Sequence, residues 1–240
     1  MKYIEKHFDA VEVKAYEAQL KAEGLDKVSL ANPDNHPASD GPAVYKMVGS
    51  FPTFQGLKDR MFADQGGICC YCGCRLQYPS HPQYVVEHVF PKDKDRTLAG
   101  EYENLLLSCR PSDEVESLPK RERKRLYHCD KSKESKIIAV TPLQPDCSRH
   151  FRYDEFGRIT GAQKGDKEVI DTLNLDCEWL RKRREAAIEG EIYDEDFNLL
   201  DAEALRQRLD SIMRVDEQGM HSEFCFVIKD VIERLLSDEL

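Results

Sequence analysis

Four cysteines have the residue type and the spacing of metal ligands. Cys69 and Cys72 form a C-x-x-C pair just past Gly66-Gly67, and two thiolates at that spacing bind one ion from a tight turn. Cys109 and Cys129 would complete a tetrahedral four-sulfur site, for which zinc is the usual occupant. Cys70 and Cys74, in the same run ICCYCGC, are rival ligands. The chain has nine cysteines, an odd number crowded toward its middle. Its opening, MKYIEKHFDA, lacks the apolar stretch of a secretory signal, so a reducing, cytoplasmic setting is expected. Metal binding then outranks a disulfide framework.

Charge carries a second chemistry. There are 35 Lys+Arg against 45 Asp+Glu, a net charge of −10, and that total argues against a nucleic-acid partner. Its distribution argues the other way. Residues 119–136 (PKRERKRLYHCDKSKESK) hold eight Lys/Arg against three acids. Lys120, Arg121, Arg123, Lys124 and Arg125 thus lead directly to Cys129, where they could grip phosphates beside a metal. A second block, RKRR at 181–184, is flanked by Glu178 and Glu185, so helical i,i+4 pairing explains it equally well. The acidic stretch EGEIYDED (189–196) would repel free nucleic acid, which suggests that a partner presents the substrate. No apolar run approaches the ~18–20 residues of a membrane span, and no membrane partner is expected.

These residues need a frame. Residues 1–8 alternate loosely and suit an edge strand, and 9–25 read as a helix ending near Gly24. Residues 31–43 (ANPDNHPASDGPA) have loop chemistry. A helix over 55–64, stopped by Gly66-Gly67, delivers the chain into the cysteine run. YVVEHVF (84–90) reads as a short strand closed by Pro91, and NLLLS (104–108) as a second strand or a turn into a helix. Further on, HFRY and RIT around DEFG predict a hairpin. Helices are expected over 167–190, 201–218 and 222–236, the last with an apolar stripe of Phe226, Val227, Val231, Ile232, Leu235 and Leu236. The organisation expected is an N-terminal helical and loop segment (1–67), a cysteine-framed module (68–140), and a hairpin plus helices (141–240). The last helices are the candidate docking surface for a partner.

Within the middle module the ordered set ICCYC, EHVFPK, ENLLLSC and CDKSK resembles the HNH endonucleases. Downstream, TPLQPDCSRHFRYDEFGRI and DTLNLDCEWLRKRR are similar to the HNH subunit of Septu-type and retron-associated anti-phage defence systems. The resemblance runs over about residues 68–184. It implies an α+β fold containing a ββα-metal module with zinc at Cys69, Cys72, Cys109 and Cys129. It also implies that Glu87 and Asp130 bind a catalytic Mg²⁺ or Mn²⁺, that His88 is the general base and that Asn104 is a positioning residue. Asp130 stands where the family often has His or Asn, and the adjacent His128 is its rival. Lys92 and Lys133 could meet phosphates.

The chemistry agrees with those roles. An imidazole titrating near ~6.5 suits proton abstraction from water, and carboxylates suit a hard divalent cation. The implied activity is metal-dependent hydrolysis of nucleic-acid phosphodiesters, with DNA favoured and RNA such as a tRNA the alternative. The implied partners are an ABC/SMC-like ATPase and, in a retron setting, a reverse transcriptase with its DNA product. A zinc-stabilised binding module without catalysis is the competing reading. His36, His81, His150, His221 and Trp179 lack such support and are expected to be ordinary surface or core residues.

Overall fold

The computed structural model describes residues 1–36, 39–77 and 84–238, so His81 lies outside the described residues. The fold is α+β. Four helices come first: α1 (Val11–Ala22), α2 (Lys27–Ala31), α3 (Gly41–Val48) and α4 (Phe54–Asp64). Strands β1 (Tyr84–His88) and β2 (Leu105–Cys109) follow, then α5 (Asp113–Ser117), α6 (Lys120–Leu126) and α7 (Asp130–Lys133). The rest comprises β3 (Phe151–Tyr153), β4 (Ile159–Gly161), α8 (Asp166–Leu173), α9 (Glu178–Ile192), α10 (Ala202–Ile212) and α11 (Cys225–Asp238).

Local chemistry sets several of these boundaries. Asp26, Asp40, Ser112 and Asp201 each accept from backbone N–H groups in the first turn of α2, α3, α5 and α10, satisfying donors that the helix cannot. The end of α4 is set by Gly66 and Gly67, with φ of 58° and 67°. A Cβ on Gly67 would lie 1.8 Å from the Met220 methyl, so the turn both reverses the chain and packs against the segment before α11.

Among the described residues there are two antiparallel two-stranded sheets, β1–β2 and β3–β4. In the first, Glu87 pairs with Leu106 and His88 with Leu105. Helix α4 packs on β2 and on α1, while α11 packs on α9, α10 and β3. The apolar core is continuous from Met1 to Ile232 and joins all three stretches of the chain. No helix of the described residues is long and apolar enough to cross a membrane.

Two expectations need correction. Residues 1–7 form no strand; Ile4 N–H instead donates to the carbonyl of Pro142 at 2.8 Å. The helix expected over 167–190 is two helices. Asn174 breaks it with a left-handed φ of 49°, and its side-chain amide donates to the carbonyls of Arg125 and Tyr127. Of the apolar stripe of α11, Val227, Val231 and Ile232 are fully buried, Phe226 nearly so, and Leu235 and Leu236 half-buried against the core.

Candidate metal centre and adjoining cleft

Turn geometry brings the four cysteines together. The sulfurs of Cys69, Cys72, Cys109 and Cys129 all lie within 4.8 Å of one another and are buried. Cys69 Sγ is 3.8 Å from Cys129 Sγ, and Cys72 Sγ is 3.6 Å from Cys109 Sγ. A tetrahedral ion with bonds of about 2.3 Å sets its sulfurs about 3.8 Å apart. The cluster is therefore sized for a zinc-like cation. Cys70 and Cys74 are outside it; burial pushes both thiols well above the usual range.

The four thiols divide: Cys69 and Cys72 are held toward the thiolate, whereas hydrogen bonding within the cluster and burial push Cys109 and Cys129 well above the usual range. Burial opposes ionisation, yet hydrogen bonds from Cys109 and Cys129 hold Cys69 and Cys72 well below the usual thiol range. Backbone N–H groups point at sulfur: Cys109 N to Cys69 Sγ at 3.3 Å, and Cys74 N to Cys72 Sγ at 3.5 Å. His128 Nδ1 lies 3.2 Å from Cys129 Sγ and 3.6 Å from Cys109 Sγ. His128 thus packs its Nδ1 against the cysteines. Its ring stacks on Trp179, whose indole also carries the Arg183 guanidinium, so Trp179 does more than fill space. Cys129 reaches the cluster with φ of 56°, a strained conformation for a residue with a Cβ, held by its N–H on the Leu173 carbonyl.

At the end of β1, Glu87 and His88 point to opposite sides, and both are covered. Glu87 is 2% exposed, and both the Tyr71 hydroxyl and the Lys133 ammonium reach its Oε1 at 2.8 Å. Burial, together with hydrogen-bond contact from Asp130, pushes Glu87 up to about 8 against the pull of Lys133. His88 packs edge-on to Tyr45, and its Nε2 lies 3.0 Å from the carbonyl of Ala99. A carbonyl only accepts, so Nε2 carries the hydrogen and Nδ1 is left with the basic lone pair. Burial and the ammonium groups of Lys92 and Lys133 push His88 down to about 4, so it is neutral at pH 7.

Asn104 organises the segment that holds His88. Its Oδ1 accepts from Phe90 N at 2.7 Å, and its Nδ2 donates to the carbonyls of Phe90 and Leu98 at 2.9 and 3.1 Å. One side chain thereby ties the residues after His88 to the residue before Ala99.

Asp130 opens α7, half-buried, and lines a cleft of about 520 Å³ with Lys92, Lys124, Tyr127, Lys131, Ser132, Glu134, Ser135 and Lys136. Four lysines, Lys92, Lys124, Lys131 and Lys136, thus share this cleft. Lys120, Arg121 and Arg125 are exposed on α6, whereas Arg123 is tied to Glu116. Lys133 is a correction. It is 1% exposed, paired with Glu87 and bonded to the His88 carbonyl at 2.9 Å, so it organises β1 and cannot reach a phosphate. The RKRR block is likewise used internally: Arg181 pairs with Asp176, Lys182 with Glu178 and Arg183 with Glu223, while Arg184 is buried against the carbonyls of Gly157 and Leu175.

Sequence reasoning passed over Tyr71, Ser108 and Gln65. The only signal for Tyr71 was its place between Cys69 and Cys72. Gln65, 1% exposed, bridges the cysteine turn to β2 through Ile68 O and both backbone groups of Leu107. Comparison with protein-family models and with curated proteins returns no match to this chain.

Proposed function

We propose that the protein is a metal-dependent endonuclease of the HNH type, hydrolysing phosphodiester bonds beside a structural zinc held by Cys69, Cys72, Cys109 and Cys129. The observation that carries the reading is the contact between the carboxylates of Glu87 and Asp130, with Asp130 lining a lysine-rich cleft and an anchored, neutral His88 next to Glu87 on β1. Two paired strands followed, after α5 and α6, by α7, with these groups at the end of β1 and the start of α7, support a ββα-metal reading.

The chain supplies the base, the cation's carboxylates and the phosphate-facing lysines. Nδ1 of His88 takes a proton from an attacking water as that oxygen bonds to phosphorus. The bond from phosphorus to the leaving sugar oxygen breaks, and the leaving oxygen takes a proton from solvent. Glu87 and Asp130 fit a hard divalent cation, because two contacting carboxylates repel once both ionise and a cation removes that cost. Both donors to Glu87 use Oε1, and Oε2 receives neither. When bound, Mg²⁺ or Mn²⁺ supplies stabilisation of the charge developing on the phosphate. Lys92, Lys124, Lys131 and Lys136 neutralise the flanking backbone.

None of these steps needs a 2′-hydroxyl, so DNA, favoured by the family resemblance, and RNA are both suitable substrates. The acidic total and the 189–196 stretch support delivery of substrate by a partner, for which an ABC/SMC-like ATPase of an anti-phage complex, with a retron reverse transcriptase and its DNA product, fits the resemblance. The test is incubation with labelled plasmid, single-stranded DNA and total RNA, with Mn²⁺, Mg²⁺ or chelator, and with and without the ATPase and ATP. Products that appear only with divalent metal are expected. Binding unaffected by metal, with no products in any arm, would instead identify a zinc-stabilised binding module.

A further inference from the structure

The cysteine cluster and the carboxylate pair are mechanically joined. Tyr71 sits inside the C-x-x-C turn, fully buried, and its hydroxyl donates to Glu87 Oε1 at 2.8 Å. Ser108, next to Cys109, has its Oγ 3.7 Å from Cys69 Sγ and accepts from the backbone N–H of Asp130 at 3.3 Å. Asp130 directly follows Cys129. The turn is braced from behind, since Cys70 N–H donates to the Leu107 carbonyl and Phe224 N–H to the Gly73 carbonyl.

We infer that the cysteine cluster positions the divalent-metal site, with Tyr71 acting on Glu87 and Ser108 acting on Asp130. The inference rests on the reading of Glu87 and Asp130 as metal ligands, and deepens it. Both residues are positioning residues rather than catalytic ones. A neutral phenol orients Glu87 without adding a positive charge, whereas Lys133, on the same oxygen, competes with any cation that Glu87 would bind. When zinc holds the four sulfurs, the turn carrying Tyr71 and the strand end carrying Ser108 have one arrangement. When zinc is lost, Glu87 keeps its ion pair with Lys133 and its contact with Asp130 but loses the Tyr71 hydroxyl, and the divalent site loses affinity.

The test is Mn²⁺ binding, followed by electron paramagnetic resonance of the free ion, in the full zinc-loaded chain. Wild type is compared with Tyr71→Phe, Ser108→Ala and Glu87→Gln, with zinc content measured on each sample. Tyr71→Phe should keep its zinc and lose about ten- to a hundredfold in Mn²⁺ affinity, the range for removing a partner of a metal ligand. Its cleavage should recover at raised Mn²⁺. Wild-type Mn²⁺ affinity in Tyr71→Phe with zinc retained would overturn the inference. Should Tyr71→Phe fail to fold, Ser108→Ala decides, because it leaves every aromatic contact in place: weakened Mn²⁺ binding supports the inference and unchanged binding overturns it. Failure of the underlying reading looks different. There, Glu87→Gln binds Mn²⁺ as well as wild type, or wild type binds none, and both proposals fall.

Discussion

Replacing Asn104 with alanine removes three hydrogen bonds from a side chain that is 5% exposed. Each bond contributes about 1 kcal/mol net, and the orphaned Phe90 N–H and the two carbonyls add to the loss wherever water cannot reach them. The expected destabilisation is about 3 kcal/mol. With an m-value of about 2–3 kcal/mol/M, the urea midpoint should fall by about 1 M. The functional loss should exceed the stability loss. Asn104 holds Leu98, whose neighbour Ala99 anchors His88, and a shift of about 1 Å in a catalytic group costs about a hundredfold in rate. Asn104→Asp separates hydrogen bonding from volume. It keeps an acceptor for Phe90 N–H but turns a carboxylate toward two carbonyls, so it should destabilise at least as much as alanine. The assay is urea unfolding paired with cleavage under conditions where each variant remains folded. A midpoint shift under about 0.3 M with wild-type cleavage would refute the reasoning.

Burial pushes Lys6 down to about 7, so between that value and its unfolded value near 10.5 the unfolded chain binds a proton that the folded chain does not. Its destabilising contribution is present in full below pH 7 and fades as pH rises. Relative to Lys6→Met, wild type should gain about 2 kcal/mol from pH 7 to 8.5, read from unfolding midpoints; a flat difference would count against it. Gly41→Ala sets a Cβ 1.7 Å from the Lys92 carbonyl oxygen. The loop beside His88 must shift, and about 1–3 kcal/mol of stability should go with it, together with cleavage; a neutral variant would show that the loop yields freely. Alanine at Lys92, Lys124, Lys131 and Lys136 should weaken binding of all sequences alike and reduce the salt slope by up to about 0.9 per lost phosphate contact. Arg181→Ala with Lys182→Ala, in a block tied up by internal ion pairs, should leave that slope unchanged.

What was legible in the sequence was whatever depends on near neighbours. The C-x-x-C turn, the stop at Gly66-Gly67, strands β1 and β2 and the hairpin around DEFG follow from local spacing and turn chemistry. So did the joint placement of Glu87, His88 and Asn104, because β1 and β2 flank one short segment. Roles set by distant packing were hidden. Lys133 looks like any surface lysine until α7 folds it against Glu87, and Arg184 reads as part of a basic patch until α9 buries it. His128 and Asp130 are two residues apart, yet the turn at Cys129 sends one to the sulfurs and the other to the cleft. Tyr71 carried no signal beyond its position, since its partner lies sixteen residues away.

The central claim is that His88 performs chemistry beside a cysteine cluster that is structural. One preparation of His88→Ala, assayed for zinc and for divalent-metal-dependent cleavage alongside wild type, tests it most directly. The account predicts zinc equal to wild type and cleavage reduced by about 10²–10⁴-fold, the contribution of a general base. Identical product profiles for the folded variant and wild type, whether cleaving or not, would contradict it.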